Sequence, residues 1–313
     1  MSIIEKASGR IKVGQQRDSL TKDEGIASAA LARGAEPDLR QRGDVPDSGR
    51  VGIQRHLPPT SVVDPDLKLL DMEEFLLSPE SGRSRTAEEF RMIKRPLLIN
   101  AFERRLDNVA YPNTLMVTSA LQGEGKTFTS LNLAISITME MDSTVLLIDA
   151  DVAKPGLSKR LGIESRPGLI DRLEDDSVDL SELLLRTDIP KLTVLPAGRK
   201  HKRSTELLAS GTMRRLLTEV ASRYPDRIVL FDSPPVLETS EASVLAAQMG
   251  QVVLVVEQNQ TEQGVIKEAL TQLEGAENLY MILNKCGSGI FSTKYGYGYG
   301  YGYGYGYGSY GEN

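Results

Sequence analysis

The sequence is short of the residues on which several kinds of protein are built. It has one cysteine, Cys286, so no internal disulfide can form, and a lone cysteine reads as a small buried residue. It has two histidines, His56 and His201, too few and too far apart for a histidine metal cluster. It lacks a basic surplus: the formal net charge is -6, which argues against general nucleic-acid binding. No apolar run approaches the roughly 18 residues of a membrane helix. The longest, Val145 to Ile148 and Val252 to Val256, suit buried strands. The first residues, Met1 to Gly14, carry Lys6 and Arg10 but no apolar stretch of the secretory kind. These absences predict a cytoplasmic protein that reaches the inner membrane only through a partner. A G-x-G-x-x-G loop, H-R-D and D-F-G are also missing, which excludes a eukaryotic-type kinase.

With 313 residues, the chain can hold one large α/β domain plus extensions. Residues 1–83 are polar and weakly periodic, and read as a flexible arm with short helices at Ser2 to Arg10 and Leu67 to Leu77. Residues 84–290 read as globular, and 291–313 as a low-complexity tail. Within the globular part, strands are expected at Leu115–Ser119, Val145–Asp149, Leu192–Leu195, Arg227–Asp232, Val252–Val256 and Leu279–Leu283. Helices are expected from Lys126 to Met139 and from Thr205 to about Arg223. Short apolar strands alternating with helices predict a doubly wound, mostly parallel sheet covered on both faces. Such sheets bind ligands beyond the carboxyl ends of their strands.

The strongest motif is Ala120-Leu-Gln-Gly-Glu-Gly-Lys-Thr127. It departs from G-x-x-x-x-G-K-[ST] only at its first position, and lies between a predicted strand and a predicted helix. Gln122, Gly123, Glu124, Gly125, Lys126, Thr127 and Phe128 are therefore expected to surround a nucleotide. The two glycines let backbone N–H groups wrap the phosphates, and the helix N-terminus adds partial positive charge. Lys126 would contact the β- and γ-phosphates of ATP, and Thr127 would ligate Mg²⁺. Two acidic motifs follow buried strands: Val145-Leu-Leu-Ile-Asp149-Ala-Asp151 and Ile228-Val-Leu-Phe-Asp232-Ser-Pro-Pro235. Carboxylates so placed can hold Mg²⁺, as expected of Asp149 and Asp232, or take a proton from an attacking hydroxyl. The catalytic set expected from these motifs is Lys126, Asp149, Asp151 and Asp232.

Together these residues resemble the bacterial tyrosine kinases (BY-kinases) of exopolysaccharide and capsule gene clusters, with Walker A, A′ and B motifs in order and a terminal tyrosine cluster. The resemblance covers about residues 84 to 313. The arm beginning Ser2-Ile-Ile-Glu-Lys-Ala looks like the stand-alone, exosortase-associated subfamily. The resemblance implies a P-loop protein-tyrosine autokinase that acts in trans, assembles into a ring, and needs a separate transmembrane activator of the polysaccharide chain-length-regulator type. It implies control of exopolysaccharide synthesis or export, and roles for Asp149 and Asp151 with Mg²⁺ and the hydroxyl. Asn284 would contact the adenine, or else simply close a strand end. Glu88, Arg91 and Lys94 match the ring-forming E-x-x-R-x-x-R helix, with lysine at the final arginine position and one helix side shared by all three. Where the family commonly has arginine two residues after the second Asp, this chain has Ala153, then Lys154. The basic run Arg199 to Arg203 matches no family motif and reads as a solvated loop or as a docking patch for an acidic partner or a phosphotyrosine tail.

The tail is the expected substrate: Tyr295, Tyr297, Tyr299, Tyr301, Tyr303, Tyr305, Tyr307 and Tyr310 are eight of the eleven tyrosines. Glycine between them leaves each hydroxyl sterically open. Each phosphotyrosine adds about -1.5 to -2 charges, so full modification adds on the order of -12 to -16. Two other readings are a partition or cell-division ATPase and an idle ATP-binding scaffold for polysaccharide export. The first uses a signature lysine where this chain has Leu121.

Overall fold

Each of the six expected apolar runs forms a strand, because alternate side chains find a hydrophobic layer on opposite faces. Along the first, Leu115 and Val117 enter one core while Met116 enters the other. Val145 and Leu147 are likewise separated from Leu146 and Ile148, and Val253 and Val255 from Val252, Leu254 and Val256. This period of two, apolar on both faces, is the signature of a sheet between two helical layers.

The computed structural model describes residues 2–6, 66–69, 77, 84–103, 109–224 and 226–287. All belong to one compact unit. The tyrosine tail and most of the N-terminal arm lie outside the described residues. The elements run β1 (Ser2–Lys6), α1 (Arg85–Leu98), a π-helical turn (Ile99–Glu103), β2 (Thr114–Ser119), α2 (Lys126–Thr138), β3 (Thr144–Asp149), α3 (Gly156–Arg160), α4 (Leu169–Glu174), α5 (Leu180–Leu183), β4 (Leu185–Arg186), β5 (Leu192–Leu195), α6 (Ser204–Leu208), α7 (Gly211–Ser222), β6 (Arg227–Asp232), α8 (Ser240–Ala246), β7 (Gln251–Glu257), α9 (Gln263–Gln272) and β8 (Leu279–Asn284).

Among the described residues, eight strands lie in the order β1-β8-β7-β2-β6-β3-β5-β4. The six inner strands are parallel, and only β1 and β4 at the edges run antiparallel. Phe90, Ile93 and Leu97 of α1 and Leu131 and Ala134 of α2 fill one layer. Leu208 of α6, Leu216 and Leu217 of α7, Leu245 of α8 and Ala269 of α9 fill the other. Among the described residues no helix is long and apolar enough to cross a membrane.

Three local expectations change. Residues 2–6 are a strand, not part of a helix: consecutive isoleucines favour extended backbone, and the open edge of β8 supplies hydrogen-bond partners. Leu67 is also extended, bridging Thr187 through hydrogen bonds with Arg186 and Asp188. The helix expected from Thr205 to Arg223 is two helices, because Ser210 accepts from the Met213 N–H at 3.2 Å and caps α7 afresh.

Helix α1 starts at Ser84, whose hydroxyl accepts from the Ala87 N–H. Glu88 and Arg91 pair with each other at 2.7 Å on its exposed side. Lys94 does not join them. Its side chain is buried, donates to the Ser136 carbonyl at 2.6 Å and pairs with Glu140 at 2.6 Å. It thus neutralises the carboxyl end of α2, the helix that begins with the phosphate motif. Lys94→Met is expected to lower stability by about 1–3 kcal/mol, from the lost charged hydrogen bond to Ser136 and the lost pair with Glu140. Urea denaturation measures this, and an unchanged midpoint and slope would refute it.

Candidate active site

The parallel order brings the carboxyl ends of β2, β6 and β3 together. Asp232 ends β6 and Asp149 ends β3, and the two are direct cross-strand partners. The phosphate motif leaves β2 beside them. Ala120 is fully buried in the core between strand and helix, where the usual glycine is replaced by a methyl-bearing residue that packs. The turn is pinned at its start by the Ser119 hydroxyl, which donates to the Leu121 carbonyl at 2.7 Å. Gly123 has φ 92° and open space where a Cβ would be. Gly125 has φ 99°, and a Cβ there would meet Asn284 Nδ2 at 2.1 Å. Both features require glycine at position 125.

Lys126 begins α2 and its Nζ lies 3.0 Å from Asp151 Oδ2, with both side chains largely buried. Burial pulls its pKa down, but Asp232, Asp151 and Asp149 outweigh this and hold the ammonium above its ordinary value. Asp149 accepts from the Ser158 N–H at 2.7 Å and from the Asp151 N–H at 3.2 Å. Burial, reinforced by Asp232, nevertheless pushes its pKa up to about 7. Asp232 is pushed up by burial too, against the opposing pull of Lys126, Thr127 and Ser130. Its Oδ1 accepts from the Ser130 hydroxyl at 2.9 Å.

Asp232 Oδ2 is buried without a hydrogen bond of regular geometry, although the Thr127 hydroxyl lies beside it. An orphaned carboxylate oxygen next to a threonine hydroxyl fits Mg²⁺, which takes one or two protein oxygens and completes its shell with phosphate and water. Among the described residues no set of three or more His, Cys, Asp or Glu could hold a metal unaided. The residues fit Mg²⁺ brought by a nucleotide.

Other expected residues take different places. The Gln122 N–H donates to Glu238 at 2.8 Å, and its side chain accepts from Lys154 at 3.2 Å. Lys154 also lies 3.5 Å from Glu238, so the cation that follows Ala153 reaches over the phosphate motif. The Phe128 ring packs against Phe90 with centroids 6.4 Å apart. Asn284 donates to the Glu124 carbonyl at 2.8 Å, which makes it a buttress of the phosphate loop. The Glu124 side chain turns inward. The basic loop is partly neutralised: Arg199 pairs with Asp171 at 3.0 Å and with Glu174 at 2.9 Å.

Sequence reading missed Ser130, Ser158, Glu238 and Thr261. Ser130 had a signal, lying one helical turn after Lys126 on the side facing Asp232. Glu238, which meets Gln122, and Thr261, which meets Glu124, arrive from distant segments, while Ser158 comes from α3 just beyond β3.

Fold and site together define a P-loop nucleotide-binding α/β domain. Residues 114–282 match the AAA domain family. EpsB of Ralstonia nicotianae is 34% identical over 164 residues, 52% of this chain and 21% of EpsB. The match thus takes up only about a fifth of that relative's length. The tyrosine-protein kinase YwqD of Bacillus subtilis is 31% identical over 202 residues, 64% of this chain and 81% of YwqD. Among solved structures, the VpsO kinase domain superposes with a TM-score of 0.52 at 29% identity, covering 65% of this chain and 100% of that one. The chain belongs to the bacterial tyrosine kinase family.

Proposed function

We propose that this chain is an ATP-dependent protein-tyrosine kinase whose substrate is its own C-terminal tyrosine cluster. The observation that carries the reading is the gathering of Lys126, Asp149, Asp151 and Asp232 at the mouth of the phosphate loop, with Asp149 poised near neutrality. The kinase names borne by YwqD and the VpsO domain support it. So does the placement of β8. Its last residue, Asn284, touches the phosphate loop, so the chain leaves the domain beside the site. Tyr295 follows eleven residues later. A fully extended chain of that length spans about 40 Å.

In the proposed reaction a tyrosine oxygen attacks the γ-phosphorus of ATP. The bond from that phosphorus to the β,γ-bridging oxygen breaks, ADP leaves, and the phenolic proton passes to a carboxylate. Asp149 is the assigned acceptor because its pKa matches the task. Backbone N–H groups of residues 123–126 and the Lys126 ammonium hold the phosphates as charge shifts to the leaving group. Thr127 and Asp232 would hold Mg²⁺, which when bound supplies charge neutralisation; Asp149, expected from its motif to share that task, is kept here for the proton. Asp151 keeps Lys126 aimed through its 3.0 Å contact.

The further expectations keep their place in this proposal. Glu88 and Arg91 lie exposed and paired on α1, available to a neighbouring copy in a ring. Transfer in trans, activation by a separate transmembrane chain and control of exopolysaccharide export complete the reading. Phosphorylated tails crowded in a ring would repel one another, so light scattering should report a fall in mass after phosphorylation; a constant mass would remove the ring-to-monomer step. The activity itself is tested by intact-mass spectrometry after incubation with Mg-ATP. Phosphoryl additions mapping to Tyr295 through Tyr310 are expected. A tail that stays unmodified, with a membrane activator supplied, would replace the kinase by an ATPase or scaffold.

A further inference from the structure

Glu124 lies between the two glycines of the phosphate loop. It is 3% exposed. Its Oε2 accepts from the Leu121 N–H at 2.7 Å, closing the loop on itself. Its Oε1 accepts from the Thr261 hydroxyl and, at 3.4 Å, from the Glu257 N–H. The same Glu257 N–H also donates to Thr261 Oγ1 at 3.2 Å. Glu124's own carbonyl accepts from Asn284 at the end of β8. Lys285, at the same corner, pairs with Glu257 at 2.8 Å and not with Glu124. A buried carboxylate is costly unless donors replace its water. The donors to this carboxylate are the Leu121 N–H of the loop itself and the Glu257 N–H and Thr261 hydroxyl after β7, so they come from two separate pieces of chain.

We infer that Glu124 is a positioning residue: its carboxylate ties the phosphate loop to the loop after β7 and holds the loop ready for a triphosphate before any nucleotide arrives. The inference rests on the nucleotide-binding part of the proposed function and is independent of which group receives the phosphate. A preset loop spends less of its binding energy on ordering, so loss of the tie weakens nucleotide binding. The tie also passes through Thr261, so the two residues act as one unit.

The test uses the full chain as Glu124→Ala, Glu124→Gln, Thr261→Val and the Glu124→Ala/Thr261→Val double variant. Calorimetry gives the Kd for Mg-ATP. Amide exchange of residues 121–125 is followed in the nucleotide-free protein. Glu124→Ala should raise Kd by about tenfold or more and speed exchange at Leu121, whose N–H loses its acceptor. Glu124→Gln should recover most of the affinity, since its amide oxygen can accept from Leu121 and its NH₂ can donate to Thr261. Adding Thr261→Val to Glu124→Ala should cost little more. Unchanged Kd and exchange in Glu124→Ala would overturn the inference, as would equal losses in Gln and Ala variants. If Glu124→Ala does not fold, Thr261→Val carries the same test through exchange at Leu121. A wild-type chain that binds no ATP would end the proposed function, while the exchange data would still decide the tie.

Discussion

Lys126→Met is expected to abolish phosphate on the tyrosine tail, reducing transfer by on the order of 10²–10³-fold or more. The ammonium is the positive centre of a site with three buried carboxylates, and Asp151 holds it at 3.0 Å. Under the proposed function, removing it takes away the cation that would meet the phosphates. It also leaves Asp151 and Asp232 facing each other with less compensation, so Mg-ATP would enter a more negative cavity. Circular dichroism must first show the variant folded, since the lost pair is itself buried. The same variant then becomes a reporter of geometry. Mixed with wild-type chain and Mg-ATP, a Lys126→Met chain of distinguishable mass should acquire phosphate on its tail, because transfer in trans needs only the partner's site. Phosphate confined to the wild-type chain would overturn trans transfer and assign the reaction to each chain's own site. Undiminished tail phosphate on the isolated variant would remove Lys126 from the chemistry.

The sheet was legible because its inner strands β2, β3, β6 and β7 are apolar on both faces. The phosphate loop was legible because its glycines, lysine and threonine lie within eight consecutive residues between a strand and a helix. What escaped reading depends on contacts between distant segments. Lys94 follows the helical spacing of Glu88 and Arg91, yet its ammonium is drawn inward by Ser136 and Glu140 at the end of α2. Only tertiary packing of α1 on α2 creates that partner. The role of Asn284 rests on a contact across 160 residues, and the Ser158 N–H that meets Asp149 belongs to a helix whose position depends on the turn after β3. The strand at residues 2–6 exists through the open edge of β8. The break between α6 and α7 is a local matter that sequence could have shown, because a serine followed by glycine is a helix start as readily as a helix interior.

The rate of tail phosphorylation should rise with pH through the region of 7, and Asp149→Asn should remove both that rise and about 10²–10⁴-fold of the rate. The reasoning turns on which form is active. With its pKa near 7, Asp149 is largely protonated at pH 5 and cannot accept the tyrosine proton; at pH 8 it is largely ionised and can. Stability of the nucleotide-free protein should move the opposite way. The folded-state pKa, about 7, lies above the unfolded value of 3.8. Between those values the folded chain retains a proton that the unfolded chain releases, so stability is fullest below the lower value and is lost as pH rises toward the upper. Asp149 and Asp232 are cross-strand partners that both resist ionisation, so the titration belongs to the pair. Asp149→Asn removes one repelling charge and should raise Tm at pH 8 relative to wild type, with little gain at pH 4. A Tm profile identical in wild type and Asp149→Asn from pH 4 to 8 would refute the raised pKa. A pH-independent rate across the same range, with an intact thermal effect, would instead remove Asp149 as the proton acceptor.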